Sequence, residues 1–143
     1  MNRMKPSSVA VLWGMILLLG GCSQQTTRPD DGRAEDLVEQ RAKARWDLIV
    51  QKQYMDAYAY LTPGYRATTP IDVYSVTMRR SAVRWKSAEF KSVECRSESV
   101  CIATFDVDAT VVGQLRGADR VPITKLVHDE WLLVDGQWYY AMP

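Results

Sequence analysis

The sequence predicts an α+β domain in which N-terminal helices pack on an antiparallel sheet of about four strands. Three observations carry this. From Ala34 to Tyr60 the chain has no Gly or Pro and is rich in helix formers. After Trp85 the apolar period changes from helical spacing to two. Near the end, Asp135-Gly136 stands between two apolar runs, a strong short-range signal for a hairpin.

The first helical stretch, "AEDLVEQRAKARWDLIVQKQYMDAYAY", places Glu35 and Asp36 early, where the helix dipole favours acids. Leu37, Arg41, Ala44 and Leu48 lie along one stripe; Ala34, Val38, Ala42, Trp46, Ile49 and Met55 lie along another. Such a spread predicts one helix, or two broken near Gln51, laid on a broad surface. Pro63 and Gly64 read as its stop signal. Thr69, Pro70 and Asp72 then supply a cap, a first-turn proline and an early acid for a short helix, "PIDVYSVTMRR", ending before Trp85. The strands follow as "AEFKSVECR", "SVCIATFDVDATVV", "VPITKLVHDEWLLV" and "QWYYAM". In the second, Cys101, Ala103, Phe105, Val107, Ala109 and Val111 share one face, and Thr104, Asp106, Asp108 and Thr110 the other. "GQLRGADR" reads as a flexible connection, and Pro122 belongs at a strand beginning or an edge.

Upstream of the domain, Arg3 and Lys5 precede an apolar run from Val9 to Leu19 and a small-residue exit, Gly20-Gly21, into Cys22. This is the pattern of an export signal, too short to span a bilayer. "LGGC" resembles the lipobox of bacterial lipoproteins, in which the peptide is cleaved before an acylated Cys. The resemblance implies a signal peptide over 1–21 and lipidation at Cys22, and Ser23 in place of Asp favours the outer membrane, facing the periplasm. Residues 22–31, with the polar text "SQQTTRPDD" after the Cys, then form the lipidated Cys and a flexible tether, and residues 32–143 a single domain. Removing Arg3 and Lys5 from the 18 basic residues leaves 16 against 17 acidic ones. A chain so balanced has no basic excess to drive nucleic-acid binding.

Cys95 and Cys101 have five residues between them, across a proposed turn around Glu98. In an exported chain this pair is expected to form a disulfide, with free thiols as the alternative. A redox centre would show C-x-x-C, and a zinc site more ligands than two thiols and one distant His, so no metal and no cofactor is expected. His128, the one histidine, shares a face with Glu130 but has no nucleophile assignable from spacing, and reads as an ordinary sheet residue. Asp106 and Asp108 resemble paired carboxylates, yet a solvated strand face gives the same text. Tyr54, Tyr58, Tyr60 and Tyr65 suit either core packing or the roof of a pocket.

The order of these pieces, with Trp46, Tyr54, Tyr58 and Tyr65 in the early helical region and Trp131, Gly136, Gln137, Trp138 and Tyr139 around the last hairpin, resembles the nuclear transport factor two-like superfamily (SnoaL-like, cone-shaped). That resemblance covers about residues 32–142 and implies a curved sheet closing into a cone. It implies a cavity, with Trp46, Tyr54, Tyr58, Trp131 and Trp138 as candidate lining residues. The expected function is a noncatalytic, periplasm-facing lipoprotein that binds a membrane through its lipid and an envelope protein partner or small apolar ligand through its domain. A homodimer remains open. The alternative is an isomerase or hydrolase using the cone cavity, with Tyr54 or Tyr58 and Asp106 or Asp108 as its polar groups.

Overall fold

A computed structural model describes residues 31–115 and 118–143. The leader, Cys22 and most of the tether lie outside the described residues. Four helices come first: α1 (Asp31–Val50), α2 (Tyr54–Ala57), α3 (Pro63–Thr68) and α4 (Ile71–Arg80), with a 3₁₀ turn at Tyr58–Tyr60. Four strands follow: β1 (Val83–Ser97), β2 (Val100–Leu115), β3 (Ala118–Val134) and β4 (Gln137–Tyr140).

α1 buries the stripe Val38, Ala42, Trp46 and Ile49, while Leu37 on the other stripe stays exposed. The helix stops after Val50, where Lys52 takes a positive φ of 62° and lets the chain reverse. Met55, expected on the buried stripe, is 57% exposed, because that reversal ends α1's periodicity before it. Pro63-Gly64 opens a helix rather than closing one. The Thr62 hydroxyl accepts from the Tyr65 amide at 3.3 Å and Pro63 occupies the first turn, so the "TPG" text acts as a start signal. α4 has Pro70, not Thr69, at its cap position, with no side-chain cap bond.

The sheet is an antiparallel meander in the order β1-β2-β3-β4. Cys101, Ala103, Phe105, Val107 and Ala109 are buried beneath the helices. In register with them on β3 are Trp131, Asp129, Val127, Lys125 and Ile123, so this face of β3 carries one acid in the middle of the core. β2 continues to Leu115 and β3 begins at Ala118, so most of "GQLRGADR" is strand rather than loose connection.

The expected cone is corrected here: the sheet is open, not curled into a cone. β1 and β4 lie at opposite ends of it, with no pairing between them among the described residues. Two physical features account for this. β4 is only four residues long, and its free edge is met by backbone from the helical layer: Leu61 bridges Tyr140, and the Thr62 amide donates to the Tyr140 carbonyl at 3.2 Å. The helix-facing side is occupied by large rings, Trp46, Tyr74, Phe105, Trp131 and Trp138, in one packed cluster. A sheet whose covered face is already filled gains no apolar burial by curling further.

Candidate functional site

The most unusual chemistry in the core is a buried ion pair between α1 and β3. Arg45 sits on α1 beside Trp46, and Asp129 on β3 is only 2% exposed. Asp129 Oδ2 accepts from the Trp46 indole Nε1 at 2.8 Å and from Arg45 Nη1 at 3.4 Å. The Arg45 guanidinium also stacks on the Tyr140 ring, 3.6 Å from its centroid. Burial pushes the Asp129 carboxyl above the usual carboxylate range, while the Arg45 charge and the Trp46 hydrogen bond pull it down. Burial likewise raises the hydroxyls of Tyr74 and Tyr140, with Arg45 opposing it. Arg45 Nε, the Tyr74 hydroxyl, Ser75 Oγ and Trp131 Nε1 are buried with no hydrogen-bond partner among the described residues.

A cleft of about 170 Å³ lies against this pair, lined in part by Arg45, Trp46, Met78, Trp85, Asp129 and Tyr140. Pockets that enclose a small molecule run from about 300 to 1,000 Å³. The cleft is too small for the steroid-like or polyketide-like ligands a cone would hold. This finding, with the open sheet, overturns the expectation of a cone cavity serving a small apolar ligand, an isomerase or a hydrolase. The cluster's evident work is structural: it ties α1 to the middle of β3.

The five candidate lining residues do not converge on one cavity. Trp46 faces the cleft, whereas Trp138 borders a groove at the other end of α1. Trp131 is fully buried. Tyr54 is buried and borders a shallow hollow with Lys52, Arg79 and Arg84. Tyr58 donates to the Thr69 carbonyl at 2.6 Å and lies 3.1 Å from the Arg66 carbonyl, bracing α3. Asp106 and Asp108 are on the opposite face of the sheet from these rings. Asp108 accepts from Thr124 at 2.6 Å and Ser87 at 3.0 Å, and those bonds hold its carboxyl below the usual range. Asp106 lies 3.5 Å from Lys91. His128 is on that outer face too, its Nδ1 3.0 Å from the Thr104 hydroxyl. Among the described residues no group of His, Cys, Asp and Glu is placed to hold a metal.

The groove beside Trp138 has a volume of about 280 Å³, more than the cleft at Asp129, and is lined by Arg33, Ala34 and Leu37 from α1, Cys95, Ser97 and Glu98 from β1 and its turn, and Leu133, Gly136 and Trp138 from the last hairpin. Leu37 and Leu133 are 42% and 37% exposed there. A disulfide joins Cys95 to Cys101, directly cross-strand partners with a Cα separation of 3.9 Å, and it closes the hairpin that forms one wall. Gly136, at φ 78°, supplies the tight turn of the other wall.

Two signals in the sequence mark the ion pair: an Arg next to the buried helix stripe, and an Asp between Val127 and Trp131 on an apolar strand face. The groove has no such signal, because three separate segments build it.

No protein-family model matches the chain, and no curated protein does. Solved structures are similar in fold. The solution structure of RPA3114, a SEC-C motif containing protein from Rhodopseudomonas palustris, matches with a TM-score of 0.51 at 14% identity, over 71% of this chain and 73% of that one. Aln2 from a Streptomyces species matches with a TM-score of 0.50 at 17% identity, over 74% of this chain and 85% of that one. At these identities the likeness is one of fold alone, an α+β arrangement of helices on an antiparallel sheet. The resemblance to the nuclear transport factor two-like superfamily is accordingly withdrawn.

Proposed function

We propose that this protein is held at the outer membrane, facing the periplasm, by a lipid on Cys22, and that its domain meets a protein partner at a surface groove. The observation that carries this reading is where the groove lies. It is built on the first turns of α1, the end of the domain that the tether enters. Eight residues, Ser23 to Asp30, separate the lipobox Cys22 from α1. Fully extended they reach about 28 Å at most. The groove therefore stays close to the bilayer, and an anchored partner would meet it at a high effective concentration.

A surface suits the described residues better than a cavity. The covered face of the sheet is packed, and the cleft at Asp129 is smaller than the pockets that enclose a drug-sized ligand. The groove offers exposed Leu37 and Leu133 against the buried Trp138, rimmed by Arg33 and Glu98, which is the apolar centre and polar rim of a protein contact.

The test is a photo-reactive residue placed at Leu133 in the groove, or at Thr104 on the outer face, in the full chain. Irradiated cells should give discrete cross-linked products from Leu133, lost on Leu37→Asp, and few from Thr104. Equal patterns from the two positions, or products insensitive to Leu37→Asp, would refute the groove as the working surface.

A further inference from the structure

The free edge of β4 carries a second constellation, separate from the groove and the cleft. Arg41 of α1 and Arg66 of α3 converge on one ring, with their guanidinium carbons 5.7 and 5.5 Å from the centroid of Tyr139. Arg41 also lies 4.8 Å from the centroid of Tyr60. Two cations at one half-buried ring call for an anion, yet neither arginine is in an ion pair among the described residues. The rings attract the guanidiniums weakly at sites of this exposure. They do not cancel the charge.

The donors divide into spent and unspent. Arg41 Nε donates to the Trp138 carbonyl at 2.7 Å. The Gln137 amide, oriented by its hydrogen-bond network, accepts from Arg41 Nη1 at 3.1 Å and Nη2 at 3.3 Å and donates to the Tyr139 hydroxyl at 3.0 Å. Arg41 is thus held by neutral acceptors, and the hydroxyl proton of Tyr139 is left to point elsewhere. Among the described residues the buried Arg66 Nε has no hydrogen-bond partner.

We propose that Arg66 and the Tyr139 hydroxyl, with Arg41 supplying a second fixed charge, form a receptor for a carboxylate. The donor inventory selects the chemistry. A planar guanidinium fork beside one hydroxyl matches the two coplanar oxygens of a carboxylate. The Arg41 contacts to β4 fix the platform before a ligand arrives, so little ordering is needed on binding. The carboxylate belongs either to a free organic acid or to a peptide C-terminus.

The full chain, purified in detergent, is titrated by calorimetry with N-acetylglycine, with the peptide Ala-Ala-Phe-Phe and with the same peptide as its C-terminal amide. The Arg side-chain Nε–H resonances are followed in parallel. The acid forms should bind saturably and shift the Arg66 resonance, and the amide should bind at least about tenfold more weakly, the scale of a lost charge-assisted bond. N-acetylglycine equal to the peptide acid assigns the site to free acids; a tighter peptide assigns it to C-termini. Arg66→Gln and Tyr139→Phe should each weaken binding about tenfold with thermal stability kept, and Arg66→Lys should recover part of it. Equal affinity for acid and amide, wild-type binding by both variants, preference for inorganic phosphate, or no saturation by about 10 mM carboxylate would overturn the proposal.

Discussion

Asp129 accepts two hydrogen bonds at a single oxygen inside a core of rings, and its energetics can be separated by substitution. Asp129→Leu leaves Arg45 buried without a counter-charge and the Trp46 indole without its acceptor. The expected loss is about 3–5 kcal/mol of unfolding free energy, read from urea titration. Arg45→Met combined with Asp129→Leu should recover most of that, since two apolar side chains carry no desolvation cost. The pH dependence follows from the raised Asp129 carboxyl. A folded state that holds its proton more tightly than the unfolded chain is favoured below the unfolded value and loses that advantage as pH rises through the folded one. Wild-type stability relative to Asp129→Asn should therefore fall from about pH 4 toward neutrality. A difference that stays flat or rises would contradict this assignment. The sequence marks Asp129 weakly, because a strand with apolar residues on both faces hides which face is covered. Arg41, Arg66 and Tyr139 are not legible as a group at all, since α1, α3 and β4 bring them together from distant positions.

At the scale of elements, β1 shows how an exposed sheet edge is kept from pairing with other chains. Its register slips three times, between Trp85 and Ser87, Phe90 and Ser92, and Cys95 and Ser97. The residue left over at each slip is Lys86, Lys91 or Arg96, all exposed and basic. Bulges and charges are the two devices that blunt an edge, and here they coincide five residues apart. Replacing Lys86, Lys91 and Arg96 together by Val should drive concentration-dependent association in light scattering, and a variant that stays dispersed like the wild type would refute this role. The Cys95–Cys101 bond closes a short loop in the same strand pair. Replacing both by Ala should cost about 2 kcal/mol by loop entropy, measured by denaturation under non-reducing conditions. Period-two text identifies the strands well, but bulges add residues without changing composition and so leave no trace in it. The α3 start escapes the sequence for a related reason: Pro and Gly punctuate a helix at either end, and the Thr62 cap decides which.

For the whole molecule, the order of helices before a four-stranded antiparallel sheet is legible, because it follows from local period and turn chemistry. Closure is not. Whether a sheet curls into a cone depends on how its covered face is filled and what meets its edges, and here Trp46, Trp131, Tyr74 and the Leu61–Thr62 backbone settle both. The proposed function rests on location more than on shape. No helix among the described residues is long and apolar enough to cross a membrane. The proposed attachment is through a lipid on Cys22. Its most direct test is the intact mass of the mature N-terminus from separated envelope fractions. The expected result is a chain beginning at acylated Cys22 in the outer-membrane fraction, and an unprocessed precursor for Cys22→Ala. A chain beginning elsewhere without acyl mass, or wild-type anchoring of Cys22→Ala, would contradict it.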